Sequence, residues 1–586
     1  MSIRICSRTF ICKTLQSTFR QISRRNYAQR YNVIVETSSL KFPAPGFRLA
    51  SQWPERIAIT DQFGDYSYRN VFNGSKTLAD TLTEALEEKV QERVSFLCKN
   101  DASYIMTLWA CWMTGQIGVP LNPHHPDEML EYFLLDSETS VLVTTNEYAE
   151  RCQKICEKTG VRMVIFDENI RNSAIITAEE NEKRKFESLP SLKAGLNPNL
   201  YSKLDALIIY TSGSTAMPKG VVLSHANLHA QVNAMIRAWE WTSKDSILHA
   251  LPLHHVHGLT NALLTPLQCG ARCVMLPKFE ARKVWNYLLA VKIGAFRRIT
   301  VFTGVPTMYV KLIEEYEKSL NTSDRVVSYV KASCSQKIRL MMCGSAPLPE
   351  PIFEKWEHIT GHRLLERYGM SEMNMALSNP LHGERRPGFV GTPLPGVNVR
   401  IWDKDNVLVQ GNEFGTKIVT SDNISPKDSK YVGELQTKGE NVFKQYWKKP
   451  DVTAEVFTKD GWFRTGDTAQ YIDGGYKILG RSSVDIIKSG GYKISALFVE
   501  TILLQHPNIK DIAVVGLPDS TWGQQVAAVI VSDGSEPITV TSLKEWAKSK
   551  LPSYSIPVAV KIVPEIPRNL MGKVNKKELL AKMFPL

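Results

Sequence analysis

The strongest constraint on how this chain can fold is a recurring alternation of short apolar runs with longer amphipathic stretches. The runs "VSFLC", "SVLVTT", "RMVIF", "ALIIYT", "RCVML" and "IRLMMC" are strand-length and apolar at successive positions, as strands covered on both faces must be. Between them lie stretches of helical period such as "SKTLADTLTEALEEKV" and "VPTMYVKLIEEYEKSL". Strands alternating with helices predict parallel sheets with helices on their faces, an α/β class, from about residue 40 to 480. After about residue 390 the runs shorten and turns multiply ("GVNVRIWD", "GELQTKG", "GGYKILG"), which predicts a small β-rich subdomain completing the large one. From about residue 484, "DIAVVGL", "QVAAVIV", "SLKEWAKSKL" and "VAVKIV" predict a separate, small α+β C-terminal domain. The join "LGRSSVDIIKSGGYKIS", glycine-bearing and light in side-chain bulk, suits a hinge and makes that domain a mobile one.

Charge refines the division. The net charge is +12 over 586 residues. Residues 1–30 hold six arginines, one lysine and no acid, so +7 sits there and +5 is left for the rest. A basic surface for nucleic acid is therefore not indicated. The N-terminal stretch is rich in Ser and Thr and lacks an unbroken apolar core, the composition of a mitochondrial transit peptide rather than a secretory signal. A disordered basic tail is the alternative. The expected organisation is a transit peptide at 1–35, a large domain at 36–482 and a C-terminal domain at 483–586, located in the mitochondrial matrix. No apolar run approaches the roughly 18 residues that would span a bilayer. The closest cysteine pairs, Cys152/Cys156 and Cys269/Cys273, have no second pair or nearby histidines to complete a zinc site.

"YTSGSTAMPKG", Tyr210 to Gly220, follows directly on an apolar strand. It is not a Walker A loop, because Lys219 precedes Gly220 and no hydroxyl residue follows. Ser212, Ser214 and Thr215 still add hydroxyl donors to the backbone N–H groups of a glycine-containing turn, and Lys219 adds a cation, so the loop can cradle phosphate oxygens. By composition alone it could equally be a connector.

The stretch resembles the phosphate-binding signature of the adenylate-forming (ANL) superfamily, with Ala216 where the family usually carries Gly. Downstream, "LPLHHVHGL" (251–259), "GVPTMY" (304–309), "CGSAPL" (343–348), "ERYGMSE" (366–372), "FRTGD" (463–467), "ILGR" (478–481), "IKSGGYKIS" (487–495) and "PRNLMGK" (567–573) resemble the family's core motifs in family order. The resemblance implies an acyl-CoA synthetase using ATP, Mg2+ and CoA, which first makes an acyl-adenylate and then a thioester. It assigns the loop residues Thr211, Ser212, Gly213, Ser214, Thr215 and Lys219 to the phosphates. Thr215 and Glu372 inherit the metal. Gly344, Ser345, Ala346, Tyr368 and Gly369 inherit the adenine slot, Asp467 and Arg481 the ribose. Lys573 inherits the catalytic cation, with Met571 in place of the usual Ser or Thr. Gly490 inherits the pantetheine tunnel, and Ser483 stands at the hinge position.

The acid is a separate question. "LPLHHVHGL" puts His254, His255 and His257 beside the implied acyl site, where a fatty-acid pocket would be apolar. Arg339 starts the strand leading to that site, and alternation sends Arg339, Met341 and Cys343 to one face. Its fork could grip a second carboxylate. Lys278 and Arg282 are other basic candidates. With His257 and Arg339 as substrate residues, the wording resembles malonyl-CoA synthetases, mitochondrial members among them. The resemblance implies malonate, with methylmalonate open, as the acid; a short- or medium-chain monocarboxylate ligase of the same fold remains an alternative. So does a catalytically inactive nucleotide-binding scaffold. The partners expected are small molecules, with neither nucleic acid nor an integral membrane segment.

Overall fold

The computed structural model describes residues 43–173, 201–211, 217–291, 298–403, 406–419, 431–489, 492–569 and 572–585. Among these the strands form four sheets. A seven-stranded sheet runs in the spatial order Gln445–Tyr446, Lys219–Ser224, Asp205–Thr211, Ile117–Pro120, Arg93–Leu97, Thr139–Thr145, Arg162–Phe166. A nine-stranded sheet runs Thr392–Pro393, Asn374–Ser378, Leu365–Met370, Leu340–Cys343, Val301–Gly304, Ser246–His249, Arg272–Met275, Ile57–Asp61, Gly64–Ser67. The central strands of both are parallel, as the apolar runs predict. A six-stranded antiparallel sheet spans 398–481, the expected β-rich piece. The C-terminal sheet comprises Tyr492–Ser495, Ile486–Ser489, Gly523–Ser532 and Ile509–Asp519, with Ala559–Ile562 beside Gly523–Ser532.

The two large sheets share one core. Phe96, Val141, Val143, Leu207 and Ile209 from the seven-stranded sheet pack in the same cluster as Ile247, Val301, Leu340 and Met342 from the nine-stranded one. Their neighbours Leu97, Leu142, Ile208 and Val222 face the other way, onto the helices Asp127–Asp136 and Ala149–Thr159. Successive residues of one strand thus serve opposite faces, which is why these runs read as continuously apolar. The helix Ala102–Met113 ("ASYIMTLWACWM") is buried along its whole length, as a helix apolar on every side must be. On the outer face of the nine-stranded sheet, Trp356 meets Tyr309 edge-on at 4.9 Å between ring centroids and Trp285 at 5.6 Å. The eight described cysteines are all buried in this packing.

Local signals account for where elements begin and end. The helix read from "SKTLADTLTEALEEKV" starts earlier, at Tyr68, because Ser67 caps it. The Ser67 hydroxyl accepts from Asn70 N at 3.1 Å while Asn70 Oδ1 accepts from Ser67 N at 2.8 Å. It also ends earlier, at Ala85, since Glu87 and Glu88 adopt left-handed φ of 52° and 60°. The helix Pro306–Ser319 opens on proline, which suits the first turn.

Leu108 lies on the wholly buried helix, fully enclosed. Leu108→Ala removes packing that neighbouring sheets on both sides cannot close, and is expected to cost about 2–5 kcal/mol. A lowered urea midpoint of the large domain, beside a C-terminal domain transition that does not move, is the measurement that checks it.

Candidate active site

Parallel strands deliver their C-terminal ends to one edge of a sheet, and that edge is where the motifs gather. Val301–Gly304, Leu340–Cys343 and Leu365–Met370 lie side by side in parallel. Their ends bring Thr303, Gly344–Ser345 and Arg367–Met370 together. The antiparallel pair Phe463–Ile472 and Gly475–Arg481 faces them, with Asp467 directly opposite Arg481 in register.

On the nucleotide side the contacts are direct. Tyr368 OH donates to Asp467 Oδ2 at 2.5 Å, and Arg481 Nε lies 3.0 Å from Asp467 Oδ1. Burial raises the Asp467 pKa, with Arg481 and the Tyr368 hydroxyl pulling the other way. Tyr446 OH donates to Glu372 Oε1 at 2.8 Å, and Lys219 Nζ stands 5.2 Å from the centre of the Tyr446 ring. Strand pairing makes this possible, because Tyr446 lies opposite Val221, two residues past Lys219. Lys573 reaches the same place from the C-terminal domain. The Lys573 side chain stays open to solvent; crowding by the surrounding cleft and the Arg481 charge lower its ammonium pKa, with Asp467, Glu372 and Asp485 opposing. Gly369 follows Tyr368 at a bulge against the next strand, and Ala346 continues the turn. Thr211 ends its strand with its hydroxyl 3.5 Å from Lys219 O. Ser212, Gly213, Ser214, Thr215 and Gly490 lie outside the described residues, as does the segment 1–35.

The acyl side is built around a buried histidine. The segment His257–Leu264 is π-helical and wholly buried, a geometry that is rare and common at functional sites. His257 Nδ1 is 2.8 Å from Ser345 Oγ and Nε2 is 2.9 Å from Thr303 Oγ1. Burial, reinforced by the adjacent Arg367 charge, keeps this imidazole neutral. Arg367 donates to Nε2, so the ring proton belongs on Nδ1 and is given to Ser345. Ser345 itself holds a left-handed φ of 71°, the kind of strain retained where a side chain must be aimed.

Arg339 is not part of this arrangement, against the expectation from strand alternation. It precedes Leu340–Cys343, so it lies at the other end of the strand, roughly 16 Å from Gly344 at about 3.3 Å per residue. Its fork is occupied there: Nε and Nη2 hold the buried Asp245 at 2.6 and 2.9 Å, and Nη1 donates to Trp239 O at 2.9 Å. Alternation groups Arg339 with Met341 and Cys343, and Cys343 stands in register with Glu366 while Thr303 stands in register with Met342, so neither the face nor the end of the strand is that of the Thr303–Arg367 arrangement. Lys278 and Arg282 are exposed, Lys278 beside Glu280 at 3.6 Å.

The basic residue that does reach the site is Arg367, within the same "ERYGMSE" motif. It is 3% exposed. Nη2 donates to Thr303 Oγ1 at 2.9 Å. With the Asn261 side-chain oxygen turned toward the guanidinium, that oxygen accepts from Nε at 3.1 Å and from Nη2 at 3.0 Å. Nη1 has only the Met375 thioether, at 3.6 Å, among the described residues. Gly344 leaves room for it: a Cβ there would stand 2.4 Å from Nη1. No carboxylate pairs with Arg367 among the described residues. Glu366 is next in the chain but on the opposite face, and burial pushes its carboxyl up to about 8, so it supplies little counter-charge at neutral pH. Arg367 itself is driven down to about 10 by burial. The sequence signal that could have found it is an arginine inside the strand Leu365–Met370, one residue from Glu366, which alternation sends to the opposite face.

Comparison with known proteins agrees with this geometry. The family model described as AMP-binding enzyme matches residues 47–447, and the AMP-binding enzyme C-terminal domain matches 499–573. The chain is 46% identical over 552 residues to the mitochondrial malonate–CoA ligase ACSF3 of Mus musculus, covering 92% of this chain and 91% of the relative. It is 39% identical to the malonate–CoA ligase of Arabidopsis thaliana, over 91% and 87%. The ATP-bound crystal structure of MatB from Rhodopseudomonas palustris superposes with a TM-score of 0.76 at 30% identity, over 92% of this chain and 98% of that one. The sheets have the layered order expected of the fold and the matched family models cover most of the chain: it belongs to the AMP-binding enzyme family.

Proposed function

We propose that this chain is an ATP-dependent malonate–CoA ligase. The observation that carries the choice of acid is Arg367, a guanidinium buried at the acyl edge without a carboxylate partner among the described residues. Burying a charge is costly unless an opposite charge meets it. A dicarboxylate supplies that charge: one carboxylate reacts while the other lies against Arg367, Asn261 and the His257–Ser345 pair. A fatty acid would leave the guanidinium unpaired. The names of the relatives support the same reading.

In the first step a malonate oxygen attacks the α-phosphorus of ATP and the bond to the bridging oxygen breaks, giving malonyl-adenylate and pyrophosphate. Lys573 carries the positive charge that meets the charge building on the phosphates, and it does so most strongly in the transition state. Asp467 holds the ribose hydroxyls, Tyr368 with Gly344–Ala346 the adenine, and the 211–219 loop with Lys219 the outer phosphates. In the second step the CoA sulfur attacks the acyl carbon and AMP leaves, the thiol proton passing to solvent. Gly490 would line the path of the pantetheine arm.

Glu372 is a hard oxygen donor beside Lys219 and Tyr446, and no cluster of three metal-binding side chains stands among the described residues. That suits Mg2+, which keeps most of its ligands as water and phosphate, with Glu372 and Thr215 as its protein side. When bound, the ion would neutralise phosphate charge. The basic leader at 1–35 and the mitochondrial names of relatives support a mitochondrial location, in the matrix.

Thioester formation with malonate, methylmalonate, acetate and octanoate tests the proposal; preference for octanoate would overturn it. Arg367→Met is expected to lower kcat/KM for malonate by about 100-fold or more, through loss of a buried charge pair to substrate, while leaving thermal stability unchanged or higher. Arg339→Ala should do the reverse. It leaves the malonate KM in place and costs about 2–3 kcal/mol by stranding Asp245, read as a lower melting temperature.

Lys573→Ala is expected to reduce malonate-dependent pyrophosphate exchange by about 100-fold or more. The lowered Lys573 pKa has a sign. The ammonium is present at low pH and lost as pH rises through its shifted value. Wild-type exchange should therefore turn down at a lower alkaline pH than an ordinary lysine sets.

A further inference from the structure

A second charged cluster lies outside the nucleotide site. Lys576 opens the helix Lys576–Met583. Its Nζ stands 2.7 Å from Asp485 Oδ1 and 2.8 Å from Glu500 Oε1, with only 9% of its side chain exposed. Glu500, on the helix Ala496–Leu503, also accepts from Val514 N at 2.7 Å. Asp485 does more than pair with Lys576. Its Oδ2 accepts from Arg481 N at 3.0 Å, and its own N–H donates to Arg481 O at 2.8 Å. The fit is close: Gly480 has a φ of +124°, and a Cβ there would lie 2.3 Å from Asp485 Cβ. Arg481 ends the six-stranded sheet and is the residue whose guanidinium meets Asp467.

One carboxylate therefore touches both the residue that completes the ribose site and the residue three positions past Lys573. The Lys573 segment is held on its other side as well. Arg568 pairs with Asp511 at 2.7 Å and donates to Gly572 O at 2.9 Å. Asn569 Oδ1 accepts from Lys573 N at 2.9 Å, and Asn569 N donates to Lys573 O at 2.9 Å. Those contacts all lie within the C-terminal domain. The Lys576–Asp485–Arg481 chain crosses the connector to the large domain, as does the Ser495 hydroxyl, which donates to Leu479 O at 2.6 Å.

We propose that Lys576 is a positioning residue for adenylation. By bridging Asp485 and Glu500 it anchors the Lys573 segment to the connector at Arg481, and so sets where the Lys573 ammonium stands relative to Asp467. The proposal rests on the ligase reading above. It has a consequence that a purely structural role lacks. Misplacing a catalytic group by about an ångström costs on the order of 100-fold in the step that uses it. Lys573 serves departure of pyrophosphate, so a preformed adenylate bypasses it.

The test compares wild type, Lys576→Met and Lys576→Arg in two assays: malonate-dependent ATP–pyrophosphate exchange, and thioester formation from supplied malonyl-adenylate and CoA. Lys576→Met is expected to lose about 100-fold in exchange while thioester formation stays within about threefold; it strands Asp485 and Glu500, so its melting temperature falls as well. Lys576→Arg keeps the charge and should retain at least about a tenth of wild-type exchange. Asp485→Asn gives the same split and serves if Lys576→Met does not fold. Equal losses in both assays, or no loss of exchange in a folded Lys576→Met, would overturn the positioning role. Wild type without malonate-dependent exchange would instead overturn the ligase reading on which it rests.

Discussion

The carboxylate of Asp467 is the point on which the parts of the molecule depend for their mutual placement. Tyr368 reaches it from the nine-stranded sheet, and Arg481 holds it within the six-stranded sheet. From Arg481 the backbone bonds pass to Asp485 and the C-terminal domain. Lys573 arrives in the electrostatic field of the same carboxylate. A buried acid held by a tyrosine hydroxyl and a guanidinium is constrained in direction as well as charge. Residues separated by more than a hundred positions thereby acquire fixed relative positions, which is what a reaction between bound phosphate and carboxylate needs.

The acyl side follows a different electrostatic rule. Around Asp467 opposite charges are already paired. Around Arg367 they are not, among the described residues: neutral partners Thr303, His257 and Asn261 satisfy hydrogen bonds without cancelling the charge. The protein carries the cost of a buried, uncompensated cation, and a ligand carboxylate relieves it. On the proposed function, affinity for a dicarboxylate would come from the free protein's own unfavourable charge, and rejection of monocarboxylates from leaving that charge unmet. Asp245 marks the contrast, since its buried carboxylate already holds Arg339 in a bidentate pair and leaves that arginine no free fork to offer.

Much of this was legible in one dimension. The apolar runs read as strands because they are buried on two faces, and the change of pattern near residue 390 marks a real change of sheet. The convergence of Tyr368, Asp467 and Arg481 was legible because their spacing survives within short motifs: Tyr368 to Glu372 lies within one strand end and its turn, and Asp467 lies opposite Arg481 in a hairpin. Arg339 misled because alternation groups side chains by face and says neither which face carries the site nor which end of the strand reaches it. Arg367 was passed over although its motif was in view, because its significance lies in the absence of a partner. Glu366 stands beside it in sequence and faces away in space.

The chain's own order determined the class of fold, the alternation of strands with helices and the family motifs. All of these depend on local period or on spacing within a few residues. The tertiary structure alone decided which arginine is buried without a carboxylate partner among the described residues, which histidine nitrogen carries a proton, and that Lys576 touches Asp485 beside the connector. Those depend on burial and on contacts such as Asp485–Lys576 or His257–Ser345, whose partners lie some ninety residues apart. Charge pairing at that range is set by how sheets stack, and stacking is a property of the whole core rather than of any stretch within it.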